Sequence, residues 1–176
     1  MNLGSIRTRY ECLYLLALVA ACSQSSPSTG LARQPGNWKM VHTVTAFEAS
    51  GVSGGMADMV AAGQASIGKP DVGGPVCVTA EISDKDTLTE RLNEAIRLGP
   101  EWKIARSEFK DGKVSFQALM DDPVQGRGTI AINGSLSPIA TDLTVTSDVR
   151  EPLPGKGHIQ TVMRQEATRV GDCSPG

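Results

Sequence analysis

Aromatic side chains are scarce, with Phe, Trp and Tyr making up 4% of the 176 residues beside 19 Gly and 10 Pro. So few rings among so many turn formers favour a turn-rich β architecture over a helical bundle. Unbalanced charge is missing too: the formal net charge is −2, and no basic stripe interleaved with aromatics exists to neutralise phosphates, which argues against a nucleic-acid partner. No apolar run is long enough to span a bilayer, because the longest, Cys12 to Ala21, holds about ten residues where about 20 are needed. The only histidines are His42 and His158, and neither belongs to a spacing such as His-x-x-x-His or lies beside a paired-cysteine motif, so zinc has no local site and no cofactor is expected.

The N-terminus has the layout of a secretory leader, with Arg7 and Arg9 ahead of a short Leu, Ala and Val run. That run ends in Leu18-Val19-Ala20-Ala21-Cys22, which resembles the lipobox of bacterial lipoproteins, where the cysteine is acylated and the leader is cut before it. A plain signal peptide cut after Ala21 and a buried apolar N-terminal strand are the competing readings. Residues 1–21 are thus expected to be a lipoprotein signal peptide; losing Arg7, Arg9 and Glu11 with it leaves the mature chain slightly more acidic. Of the four cysteines, Cys12 goes with the leader and Cys22 carries lipid, which leaves Cys77 and Cys173. In an oxidising periplasm these two are expected to pair. Ser23 after the modified cysteine resembles lipoproteins released to the outer membrane. Residues 22–36 are rich in Ser, Pro and Gly, lack periodicity and are expected to form a flexible tether.

Residues 37–173 are expected to form one β-rich domain. Trp38, Met40, His42, Val44 and Ala46 alternate with Lys39, Val41, Thr43, Thr45 and Phe47, the period of a half-buried strand. Residues 50–75 are small and Gly-rich, with at most a short weak helix around Met56, Met59 and Val60. Pro75 to Ala80 follows as a short strand. From Lys85 to Leu98 the residues Leu88, Leu92, Ala95 and Ile96 form one apolar helical stripe opposite Glu90, Arg91 and Glu94; Ser83 with Asp86 resembles a capping box, and Gly99-Pro100 supplies the stop. Strands are then expected over Trp102–Phe109, Lys113–Met120, Gly128–Asn133, Leu143–Val149 and His158–Val170. Asp111-Gly112 is a strong hairpin dipeptide, and Asn133-Gly134 and Pro154-Gly155 are expected to break later connections. The fold class is therefore α+β, mainly β: a curved antiparallel meander or partial barrel with one amphipathic helix, whose edges need closure, coverage or bulges.

Pro35-Gly36-Asn37-Trp38, Cys77-Val78-Thr79 and Gly171-Asp172-Cys173, together with the leader, give the chain a likeness to a known family: it resembles the DUF 3617 family of proteobacterial envelope proteins. Members usually carry a further cysteine pair flanking the central hairpin, near the places of Trp102 and Met120 here. The joint absence of both halves of that pair agrees with the pairing of Cys77 and Cys173. The resemblance implies a fold and a compartment, and no catalytic or binding residue comes with it.

Gly51-Val52-Ser53-Gly54-Gly55 matches the Gly-x-Ser-x-Gly elbow of serine hydrolases, with an acid and His158 downstream. That motif needs a tight turn from a buried parallel strand into a helix, whereas the strand before it is amphipathic and no β-α-β alternation follows. A flexible glycine loop and a non-enzymatic protein are the expectation, with a hydrolase using Ser53 and His158 as the alternative. Met56 and Met59, with His42, would offer soft ligands to copper, but methionines at helical spacing are expected to fill core. Asp121-Asp122 before Pro123 falls at an expected hairpin turn and lacks the further oxygens that calcium requires. Trp38, Met40, Trp102 and Ile104 are the candidates to line a concavity. The expected function is a lipid-anchored binding or accessory module on the periplasmic side of the envelope, for an apolar small molecule or an envelope protein; a structural or assembly lipoprotein without a ligand is the alternative.

Intact-mass measurement of the natively expressed protein is expected to show removal of residues 1–21 and acyl chains on Cys22, both lost in Cys22→Ser. A mature chain that retains its leader would contradict this reading.

Overall fold

In a computed structural model, the described residues are 31–52, 56–96, 98–122, 126–150 and 157–173. The leader, Cys22, Ser23, Ser53 and the Pro154-Gly155 dipeptide lie outside them. Eight antiparallel strands form one open, curved sheet: β1 (Gly36–Ser50), β2 (Pro70–Val72), β3 (Val76–Val78), β4 (Lys103–Lys110), β5 (Lys113–Asp122), β6 (Gly126–Leu136), β7 (Ala140–Arg150) and β8 (His158–Gly171). Their order is β2-β1-β8-β7-β6-β5-β4, with β3 also paired to β1. Three helices accompany the sheet: α1 (Ala57–Ser66), α2 (Ala80–Asp84) and α3 (Leu88–Ile96).

Alternation decides which face is buried. Val114, Phe116, Ala118 and Met120 of β5 point inward, and their register carries the same face through Ile130 and Ile132 to Leu143 and Val145. The stripe Leu88, Leu92, Ala95 and Ile96 on α3 packs against them. Asp111 and Gly112 both adopt left-handed backbone, at φ 52° and 74°, as the two-residue hairpin between β4 and β5 requires. The outer face carries Ser115, Asn133, Thr144 and Arg164 in one cross-strand row, with Arg164 forked onto Asp142 at 3.0 Å. The edge strand β4 is protected by Lys103, Arg106, Glu108 and Lys110 and by a bulge after Ile104.

Several expectations are corrected. The helix expected over 85–98 is α3 alone, starting at Leu88, and a separate α2, not expected, precedes it over Ala80–Asp84; the Thr79 hydroxyl caps α2 by accepting from Ile82 N, and the Thr87 hydroxyl accepts from Glu90 N. Ser83 and Asp86 form no capping box, because both side chains are committed to Arg33. Asn133-Gly134 is no turn; β6 runs through it, and the reversal comes at Ser137 to Ile139. A β-bulge after Val44 flips the alternation of β1, so that Phe47 rather than Ala46 reaches the inner face, where Gly63 of α1 lies against its ring. Residues 31–36, expected to belong to the tether, are packed instead. Leu31 packs on the main core, Arg33 is 9% exposed, and Gln34 N donates to Pro138 O, so the stretch before β1 belongs to the packed body.

Cys77 and Cys173 form a disulfide with Cα atoms 5.5 Å apart across a separation of 96 residues. In the loop-entropy account such a closure contributes about 4–5 kcal/mol. Trp102 and Met120 both converge on Gly128: a Cβ there would meet the Trp102 ring at 2.6 Å and the Met120 methyl at 3.2 Å. Gly128→Val is therefore expected to destabilise the protein by about 1–3 kcal/mol through overpacking. Denaturant unfolding checks this, and an unchanged midpoint would show that the ring is free to move aside.

Candidate functional site

Close packing of α3 against β5, β6 and β7 does not extend to the other side of the helix. Between α3 and the strands β7, β8, β1 and β3 lies a cavity of about 410 Å³. Its sheet side comprises Leu143, Gln165, Ala167 and Met40, adjoining inward positions of three neighbouring strands. Trp38, fully buried with its indole N–H donating to Gln34 O at 3.0 Å, and the valines 76 and 78 of β3 complete the apolar lining.

Two buried arginines border the cavity. Arg33 donates from Nε and Nη2 to the two Asp86 oxygens, at 2.9 and 2.8 Å, and from Nη1 and Nη2 to the two Glu94 oxygens, at 2.8 and 2.9 Å. Its guanidinium also stands 5.9 Å from the centre of the Trp38 ring, within cation–π range. Burial alone would lower its pKa, but the hydrogen bonds to Asp86 and Glu94 prevail and hold it above the ordinary value. Arg91, 5% exposed, donates instead to neutral oxygens: Nη1 to Leu31 O at 2.6 Å and to Ser137 O at 3.2 Å, and Nη2 to the Thr141 hydroxyl. Burial, and after it the nearby Arg33 cation, push Arg91 down to about 10. It stays charged at neutral pH. Gln165, 3% exposed on the floor, has an Oε1 with no hydrogen-bond partner among the described residues.

Of the four residues expected to line a concavity, Trp38 and Met40 meet in this cavity. The other two do not join them. Trp102 packs on the main core beside Gly128, and Ile104 stands 55% exposed on the edge strand β4. The sequence reading placed Arg91 on the polar face of its helix, whereas it follows Leu88 by three residues and shares the buried side. Arg33 falls in the stretch expected to be a tether, and nothing local in the sequence marks its partners. A polar residue at an inward position of β8, between Met163 and Ala167, was the legible sign of Gln165.

The remaining candidates are dispersed. His158 Nε2 lies 3.2 Å from Asp148 Oδ2, an ion pair when the imidazole is protonated, Ser53 is outside the described residues, and β1, which leads into the glycine loop, lies in an antiparallel sheet. Met59 is 48% exposed on α1, while His42 stands in register with Asp71 and Gln165. Asp121 pairs with Arg127 at 3.2 Å. Among the described residues no group of three or more His, Cys, Asp or Glu is placed to hold a metal ion.

The Arg33 fork is expected to be a stability element. Asp86→Ala strands a buried guanidinium and is expected to cost about 3–5 kcal/mol in urea unfolding. Glu94→Gln, at a side chain 45% exposed, is expected to cost under about 1 kcal/mol; equal effects would refute this ranking. No family model, curated protein or solved structure matches the chain.

Proposed function

We propose that this protein is a non-enzymatic, lipid-anchored module on the periplasmic side of the bacterial cell envelope, held at the outer membrane, which binds an apolar small molecule in the cavity beside α3. The cavity carries the reading: a partly open pocket of about 410 Å³, with an apolar wall of Trp38, Met40 and the β3 valines facing Arg91 and Gln165, has the size of small-ligand sites. The Cys77–Cys173 bridge suits an oxidising compartment. The lipobox-like run ending at Cys22 and the likeness to the DUF 3617 family support the location. A structural or assembly role without a ligand is the competing reading, and the same experiment separates the two.

Ala167 is 8% exposed on the cavity floor, so Ala167→Phe fills the space with a ring while leaving the opposite core untouched. Mass spectrometry of the natively expressed protein is expected to find a co-purifying apolar small molecule in the unaltered protein and none in a folded Ala167→Phe variant. Trp38 borders the cavity, so in a Trp102→Phe background its fluorescence is expected to shift when the ligand is stripped and restored. An empty native protein whose emission no apolar compound alters would favour the assembly role.

A further inference from the structure

The polar groups of the cavity specify the head of its ligand, an inference that rests on reading the cavity as a ligand site. Arg91 spends three of the five donors of a guanidinium on two carbonyls and a hydroxyl. Among the described residues its Nε–H and one Nη2–H have no acceptor. Both neighbouring carboxylates, Asp86 and Glu94, are held by Arg33 through paired hydrogen bonds. Arg91 is thus a buried cation that contacts only neutral acceptors, and an anionic oxygen presented from the cavity would relieve the cost of its burial.

Gln165 makes the opposite demand. Among the described residues its buried Oε1 has no donor, and a carboxylate, which only accepts, cannot satisfy it; a hydroxyl can. The register places these two requirements on neighbouring strands. Thr141, which holds Arg91, stands opposite Ala167, and Gln165 lies two residues before Ala167 on the same strand. Thr141 and Gln165 are therefore diagonal neighbours, roughly 7–8 Å apart. A carboxylate and a hydroxyl on nearby carbons, with a hydrogen bond of about 3 Å at each end, span that separation. Trp38, Met40, Val76 and Val78 leave an apolar remainder for a chain, and a volume of about 410 Å³ falls at the small end of ligand cavities, suited to one chain rather than two.

We propose that the cavity binds a single-chain hydroxylated fatty acid, its carboxylate on Arg91, its hydroxyl donating to Gln165 Oε1, and its chain against Trp38, Met40 and the two valines of β3.

Calorimetric titration of the purified protein with three probes of equal chain length, 1-dodecanol, dodecanoate and 3-hydroxydodecanoate, tests this. Dodecanoate is expected to bind about tenfold more tightly than dodecanol, and 3-hydroxydodecanoate about fivefold more tightly again. Arg91→Met is expected to bring dodecanoate down to the affinity of dodecanol, and Gln165→Leu to remove only the gain from the hydroxyl. If Arg91→Met does not fold, the series on the unaltered protein and on Gln165→Leu decides. Equal binding of the acid and the alcohol, or no gain from the hydroxyl, overturns the proposed head while leaving the cavity as an apolar site. Failure of all three probes to bind overturns the ligand-site reading itself.

Discussion

The ladder between β1 and β8 is the constraint on which the rest of the structure depends. It runs from Asn37 opposite Gly171 to Ser50 opposite His158, joining the first long strand to the last. Neither β2 nor β3 has another hydrogen-bonded partner in the sheet, so both join its ladders only through β1. Their ends must meet across most of the chain before any of these hydrogen bonds forms. Such distant pairing carries a loop-closure cost and slows folding relative to a fold of local contacts. The bridge from Cys77 to Cys173 ties β3 to the end of β8 at the same corner. It lowers the entropy of the unfolded chain where the ladder needs it most.

The cavity follows from what α3 presents on its two sides. Toward β5 and β6 it offers Leu92 and Ala95, which fit among Phe116, Ala118 and Ile132. Toward β8 and β1 it offers Arg91, and the floor answers with Gln165 rather than an aliphatic chain. Two guanidiniums and an amide cannot interdigitate as methyl groups do, and they need oxygen partners at fixed positions. The segment from Leu31 to Arg33 meets part of that need, supplying a carbonyl to Arg91 and itself becoming ordered through Asp86 and Ser83. Polar groups retained inside a core at the expense of stability are a recognised mark of sites where packing yields to another requirement.

Much of this was legible in the sequence. The inward set of β5, the Asp111-Gly112 hairpin, the pairing of Cys77 with Cys173 and the convergence of Trp38 with Met40 follow from alternation, turn chemistry and cysteine arithmetic. What was missed has local causes. Asn133-Gly134 has the composition of a turn, but Gly134 sits in β6 because the backbone of Asp142 approaches within 2.1 Å of where a Cβ would be; close strand approach rather than reversal explains the glycine. The bulge after Val44 leaves no mark in a two-residue period. Arg33 looked like part of a linker because its partners, Asp86 and Glu94, lie more than fifty residues away. Long-range ion pairs have no local signature, and so half of the candidate site stayed hidden.

The corner where β1 begins and β8 ends is close-packed: a Cβ on Gly36 would fall 2.4 Å from Gly171 O, and the Asn37 side chain donates to Asp172 O at 2.9 Å. The first long strand thus starts where the last one ends. Such a molecule is suited to circular permutation. A linker from Cys173 to Leu31, which keeps the segment carrying Arg33, with new termini opened between Asp111 and Gly112, would leave every strand pairing intact while turning the most distant contact of the fold into a local one.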